Sequence, residues 1–348
     1  MKRALVISGG GSKGAYAIGV LKRLLEAYPG LNFDLYVGTS TGALIAPLAA
    51  IDEIDLLASL YTSLHTEDVV LANRLGDVLN EVGIFDVEPL RQLLLTHYDD
   101  QRYQQLSTAG KEVFLTTTCL QSGELVVFTN ATDPAKSALY QTRKIESARH
   151  FRRAVLASAS QPVFMPPVKV NEIITGEPFP NFQFVDGGVR EYAGVQIAID
   201  NGATEIFTIL LSSGVPAIEN KEYQNLFDIL KTTIDIFTDD VGKNDLIIPQ
   251  QYNAALQYID AVKKRMLHMG ISQPDMEDCF IIPGMENPFQ NKKPLKLYQF
   301  RPSAPLGGGA GGLEFDPQVM KGMLQKGIGT ANDFIAKMSQ EPADLSWT

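Results

Sequence analysis

Gly38-Thr39-Ser40-Thr41-Gly42 places a hydroxyl between two glycines, directly after the apolar run Leu35-Tyr36-Val37 and before the apolar stretch 43–50. This is the GxSxG pattern, whose logic is a sharp strand-to-helix turn that lifts a serine Oγ above a sheet as a nucleophile. Gly38 and Gly42 permit an approach of backbones that side chains would block. Alone, the pattern is as often a tight turn with a solvated serine; the strand before it and the helix after it favour the chemical reading. A serine nucleophile needs a base. The histidines His65, His97, His150 and His268 lie outside glycine-rich or small-residue turns, and each reads as a surface or structural residue. Asp186-Gly187-Gly188 follows the apolar segment 182–185 instead. A carboxylate there can face the carboxyl end of a sheet, where doubly wound folds bind their ligands, although an Asp-Gly pair alone is first of all a turn.

Gly9-Gly10-Gly11-Ser12-Lys13-Gly14 follows the apolar run 4–8 and opens a segment with Ala15, Ile18, Leu21, Leu24 and Leu25 at helical spacing. Backbone N–H groups gather at such a helix start, where negative charge is favoured, so the loop suits a phosphate or an oxyanion. Gly9, Gly11 and Gly14 also satisfy GxGxxG, which keeps a dinucleotide-binding protein as an alternative. That fingerprint asks for an acidic residue at the end of the second strand. Here that end runs into Gly38-Thr39-Ser40, and Asp34 stands on the wrong side of the strand. A Walker loop fails because Gly14 is followed by Ala15-Tyr16. Lys13 is either an attractor for a phosphate head group or a solvated lysine at a helix start.

These residues need elements to hold them. Two consecutive strand–turn–helix units within 4–50 predict a parallel sheet covered on both faces. Asp86 and Pro89 mark a helix start, and 111–119 and 124–128 predict strands joined by the turn Gln121-Ser122-Gly123. Further strands are expected at 182–185 and 205–211, helix over 220–268, a loop at 307–312 and a last helix from about Asp316. The expectation is one domain over 1–348, with 61–84 and 213–275 as cap or lid segments. The 348 residues, 45% apolar and 20% charged, supply material for a large core.

The same composition narrows the partners. No apolar stretch is long enough to span a membrane, and the N-terminus has no signal-cleavage pattern. Cys119 and Cys279 are single and far apart, which predicts buried thiols in a reducing cytoplasm rather than a disulfide or metal pair. A net charge of −10 without a basic block argues against nucleic acid and against attraction to anionic lipid. Peripheral membrane contact would then fall to apolar loops. No His/Asp/Glu group has metal-ligand spacing, so neither metal nor other cofactor is expected.

Taken in order, the Gly9 to Gly14 loop, Ser40 within GxSxG and Asp186 within Asp-Gly-Gly resemble the patatin-like phospholipase family. That family combines a glycine-rich oxyanion loop, a GxSxG serine and a DG[AG] aspartate. Residues 157–167, Ala-Ser-Ala-Ser-Gln-Pro-Val-Phe-Met-Pro-Pro, resemble the small-residue helix end and proline-rich turn that precede the family's aspartate loop. The likeness runs from residue 4 to about residue 211, and more weakly through Arg301-Pro302 and the last helix. It implies an α/β fold with a central, mostly parallel sheet flanked by helices on both faces. It also implies a lipid acyl hydrolase that cleaves carboxylic esters through a Ser40–Asp186 dyad and an acyl-enzyme. By the same resemblance Gly9, Gly10, Gly11 and Ser12 form the oxyanion hole, supported by Lys13, Gly14, Gly38, Gly42, Gly187 and Gly188. Ser8 stands where the family often has an aspartate, which bears on how the loop is braced, and Gly188 where many members have alanine. The alternative is a lipid-binding module that has kept the fold without turnover.

Overall fold

The computed structural model describes residues 1–72, 82–215, 222–224, 226–290, 292 and 294–340. Of the expected cap segments, 73–81 and 216–221 lie outside the described residues, as does residue 225. The buried run Arg3–Ile7 is strand β1, and helix α1 (Gly14–Ala27) follows across a 3-10 turn at Gly11–Lys13. Strand β2 (Leu35–Gly38), buried at every residue, leads into α2 (Thr41–Ala50). Helix α3 (Ile54–Tyr61) comes next, then a short ladder of β3 (Leu71–Ala72) on β4 (Phe85–Asp86). Helices α4 (Glu88–His97) and α5 (Asp100–Thr108) complete this stretch. Asp86 serves α4 from one residue outside its cap, its Oδ1 accepting the Glu88 N–H at 2.9 Å.

Strand β5 (Glu112–Cys119) returns as β6 (Leu125–Thr129) in the expected hairpin. Strand β7 (Gln141–Lys144), α6 (Ala148–Ala159), β8 (Phe184–Asp186), α7 (Val195–Asp200) and β9 (Glu205–Ile209) follow. The long α8 (Leu226–His268), α9 (Gln273–Asp278), β10 (Lys296–Phe300) and α10 (Pro317–Gln340) complete the described order. The sheet runs β10-β9-β1-β2-β5-β6-β7, with β8 attached to β5. It is mostly parallel: β6 and β8 pair antiparallel with β5, β7 runs in parallel with β6, and the remaining strands run with β5. Helices cover both faces. Leu21, Ile45 and Phe151 of α1, α2 and α6 pack on one side, and Val195, Ile197 and Leu246 of α7 and α8 on the other.

One register detail does most to build the site. Along a single edge of β5, Glu112 to Leu115 pair in parallel with Leu35 to Gly38, and Thr117 to Cys119 pair antiparallel with Asp186 to Phe184. Strand β8 therefore lies in line with β2, beyond its end and pointing back at it. Only the step from Leu115 to Thr117, about 7 Å of strand, separates the partner of Gly38 from the partner of Asp186.

Helix α10 lies on α1 backbone to backbone. A Cβ on Gly19 would fall 2.1 Å from Leu324 O, and one on Gly327 2.1 Å from Tyr16 O, so any larger residue forces the helices apart. Tyr16 Oη donates to Thr330 Oγ1 at 3.0 Å across the same contact. Cys119 is buried as expected, but Cys279 is exposed; it follows the short polar helix α9, which buries Met276 alone. Among the described residues no helix is long and apolar enough to cross a membrane.

Candidate active site

Strand β2 ends at Gly38 and α2 starts at Thr41, which leaves Ser40 to make the turn at φ 57°, ψ −120°. A serine in this region carries strain of about 1–3 kcal/mol, which the surroundings must impose. They do so by contact: a Cβ on Gly38 would meet Gly42 O at 2.3 Å, and one on Gly42 would meet Ile7 O at 2.1 Å. The Ser40 N–H donates to Ser158 Oγ at 3.0 Å. On either side, the Thr41 hydroxyl is bonded to the Tyr61 hydroxyl, and Thr39 Oγ1 accepts from Thr116 Oγ1 at 2.8 Å.

Asp186 closes β8. Its N–H donates to Ser160 O at 2.8 Å, its carbonyl accepts from Thr118 Oγ1 at 3.1 Å, and its Oδ1 accepts the Gly188 N–H at 2.7 Å. The carboxyl is 4% exposed and close enough to the Ser40 side chain to be acted on by it. Burial pushes its pKa up to about 6, against the opposing pull of the Ser40 side chain and the Gly188 hydrogen bond. Sequence reasoning missed the roles of Ser158 and Ser160, the two groups at the end of α6 that hold the Ser40 turn and the end of β8. Their signal was present in the alternation Ala157-Ser158-Ala159-Ser160, where small residues let α6 come close to both.

The glycine loop passes beside the serine: a Cβ on Gly9 would lie 3.1 Å from Ser40 Cβ and 3.7 Å from Ser40 Oγ. Ser8 braces the loop, its hydroxyl donating to Gly9 O at 3.2 Å and accepting the Leu211 N–H at 3.0 Å. Lys13, partly buried, ends the 3-10 turn with its N–H on Gly10 O at 3.2 Å, and the Gly14 N–H reaches Gly11 O. Gly187 backs onto Thr116, whose Oγ1 would be 2.1 Å from an added Cβ.

A second glycine segment, 307–315, lies over the first like a strap. At Gly11 (φ 56°) a Cβ would stand 2.2 Å from Gly312 O, so two backbones are in direct contact. Gln161 Nε2 donates to Gly311 O at 3.5 Å, and Thr66 Oγ1 accepts the Phe315 N–H at 2.9 Å. Beneath Gly308, Ser12 Oγ is buried without a hydrogen-bond partner. The space left at Ser40 is a cavity of about 30 Å³ lined by Gly11, Leu44, Met165, Gly311 and Phe315 among others. Its enclosed part has room for one or two waters. A larger groove of about 280 Å³, between α8 and strands β9 and β10, contains none of the candidate site residues.

No histidine is among the groups acting on the Asp186 carboxyl. His150 is buried and engaged, its Nε2 with Asn171 Oδ1 at 3.1 Å and its Nδ1 accepting the Glu146 N–H at 3.2 Å. His65 caps a 3-10 turn, and His97 and His268 sit in the last turns of α4 and α8. Among the described residues no three of His, Cys, Asp and Glu cluster as metal ligands.

A serine on a strained strand-to-helix turn, with a buried carboxyl and a glycine loop beside it, places the chain among α/β proteins that carry a GxSxG turn at a strand end. Residues 5–199 match the sequence model of the family described as patatin-like phospholipase, and the chain belongs to that family. A stretch of 65 residues is 51% identical to the cUMP-AMP-activated phospholipase of Escherichia coli, covering 17% of this chain and 20% of that protein. The match thus spans a fifth of that relative's length. The crystal structure of VipD from Legionella pneumophila superposes with a TM-score of 0.37 at 12% identity, over 97% of this chain and 67% of that one.

Proposed function

We propose that the chain hydrolyses acyl esters of lipids through a Ser40–Asp186 dyad. The observation that carries this reading is the buried Asp186 carboxyl, which the Ser40 side chain acts on and which burial raises to a pKa of about 6. At that value the group is ionised at neutral pH and is a stronger base than an exposed carboxylate. Ser40 Oγ forms a bond to the acyl carbon as its proton passes to Asp186 and the carbonyl electron pair moves onto oxygen. Backbone N–H groups of Gly10 and Gly11, in the loop from Gly9 to Ser12, hold that oxyanion, at about 3 kcal/mol per donor. Collapse expels the alkoxide, which takes the proton from Asp186 and leaves the acyl-enzyme. Water then attacks as Asp186 accepts its proton, the bond to Oγ breaks, and the proton returns to Ser40. Membership of a phospholipase family supports lipid as the substrate class.

Around this centre we read a single domain in the cytoplasm, with the described parts of 61–84 and 213–275 as caps. Residues 61–72 bring Val69 to the cavity at Ser40. The test is reaction with a fluorophosphonate probe and mapping of the adduct, followed by a panel of lipid esters. Modification at Ser40 that is lost in Ser40→Ala is the expected result. An unlabelled, folded protein that still binds lipid vesicles would mark a non-catalytic lipid-binding module instead.

The small cavity at Ser40, about 30 Å³, raises the further proposal that an effector widens the site before turnover. The name of the Escherichia coli relative suggests the chemical class of trigger, a cyclic dinucleotide. Ester hydrolysis with and without cyclic UMP-AMP decides this, and equal rates would confine that effector to the relative.

A further inference from the structure

After Asp186 the chain makes a 3-10 turn, Gly187–Val189, closed by the N–H groups of Arg190 and Glu191 on Gly187 O at 2.9 and 2.8 Å. The next residues are held from outside. Asp245, in the middle of α8, accepts the Tyr192 N–H at 2.6 Å and the Ala193 N–H at 3.2 Å on one carboxylate oxygen. Glu191 accepts the Gly194 N–H at 2.7 Å, just before α7 begins. The Tyr192 ring is 7% exposed and wedged between two glycines of different elements. A Cβ on Gly9 would be 3.5 Å from its Cε2, and one on Gly242 of α8 only 2.5 Å from its Cδ1. One short segment therefore touches the carboxylate turn, the glycine loop and the long helix at once.

We propose that Asp245 and Glu191 are positioning residues: with Tyr192 they clamp α8 to both loops of the site, and the clamp slackens when both carboxyls are ionised. The proposal rests on the reading of Ser40 and Asp186 as the dyad. The charges acting on Glu191 are those of Asp245 on α8 and Asp200 on α7, both negative. The Tyr140 hydroxyl donates to Asp200 Oδ2 at 3.1 Å, and burial first, then Asp200 and more weakly Glu191, raise the Tyr140 pKa. Burial first, then the charge of Asp245, keeps Glu191 protonated well above the usual carboxylate range, and burial raises Asp245 as well. A protonated partner lets the pair sit side by side; a second negative charge sets them against each other. Folding favours the acid form of both groups, so the contribution of the clamp is complete at low pH and is lost as pH rises through the raised values.

The experiment compares wild type with Asp245→Asn, Asp245→Ala and Glu191→Gln. Two readouts are followed from about pH 7 to about pH 9, a range in which Asp245, raised to about 6, is already ionised and Glu191, raised to about 8, loses its proton. One is kcat and KM for a p-nitrophenyl ester, the other amide hydrogen exchange at Tyr192 and Ala193, corrected for the intrinsic rate at each pH. Wild type should lose kcat on the alkaline side while KM holds, and its Tyr192 and Ala193 amides should exchange faster there. Asp245→Asn and Glu191→Gln keep an acceptor oxygen without the repulsion, so both should hold kcat and protection at high pH. Asp245→Ala should lower kcat by roughly tenfold or more at neutral pH, as expected when a catalytic group is displaced by a fraction of an ångström to an ångström. The proposal is overturned if exchange at Tyr192 and Ala193 is the same in Asp245→Ala as in wild type. It is equally overturned if the alkaline loss persists in both conservative variants. A protein without any ester hydrolysis or Ser40 labelling would remove the dyad reading alone, because exchange at the two amides still decides the clamp.

Discussion

Asp186 shows how a residue suited to chemistry works against its own fold. An ordinary aspartate has a pKa of 3.8 and this one about 6, so the folded chain holds a proton that the unfolded chain has already released. Stability is full below the lower value, falls as pH rises between the two, and stays reduced above the upper one, by about 3 kcal/mol. Asp186→Asn keeps the shape without the charge. It should therefore melt several degrees higher than wild type at about pH 8, and at the same temperature near pH 3.5, while losing nearly all activity. Scanning calorimetry at the two pH values checks the first half and ester kinetics the second. Wild-type activity should rise along an acid limb centred near pH 6, as Asp186 ionises. Alanine at His65, His97, His150 or His268 should leave a working enzyme. A histidine variant as inactive as Ser40→Ala, with an intact circular dichroism spectrum, would replace the dyad with a triad.

At the scale of elements, the strap 307–315 and the line-up of β2 with β8 are the features that define the site, and they differ in how far the sequence foretold them. The strands around Ser40 and Asp186 were legible because buried strands are short apolar runs and their exits carry glycine. That β8 would run antiparallel, filling the edge of β5 that β2 leaves open, was not. Pairing direction depends on residues some seventy positions apart, and no local pattern encodes it. The edge strands β7 and β10 escaped notice for a different reason, since Gln-Thr-Arg-Lys and Lys-Leu-Tyr-Gln-Phe mix charge with apolar residues as exposed edges do. The strap was legible as a glycine loop, but not its place against Gly11. Thr66 anchors it through the Phe315 N–H, so Thr66→Val should let it lift more often and speed fluorophosphonate labelling of Ser40. Loss of one such hydrogen bond, about 1 kcal/mol, corresponds to about a fivefold rate increase. An unchanged labelling rate would mean that the strap does not limit access.

Taken whole, the molecule binds its two ends together. The family match covers 5–199, yet β1, at the start of that region, has β9 as one of its two neighbours, and α1 is covered by α10. Gly327→Leu should cost about 1–3 kcal/mol by forcing these helices apart, lowering the melting temperature by roughly 1–4 °C without touching a site residue. Thermal unfolding of that variant, beside an exposed control such as Gly329→Ala, where an added Cβ meets nothing, checks the expectation. The contact between α1 and α10 also sets a timetable. A ribosome delivers Ser40 and Asp186 long before residues 317–340, and contacts of such wide sequence separation are late to form. While the chain is still being made, α1 has an uncovered face and the glycine loop lacks the backbone that later lies upon it. If Ser40 and Asp186 act as proposed, their site gains its full support only once α10 has docked on α1, and a product cut short before residue 317 would lack that support.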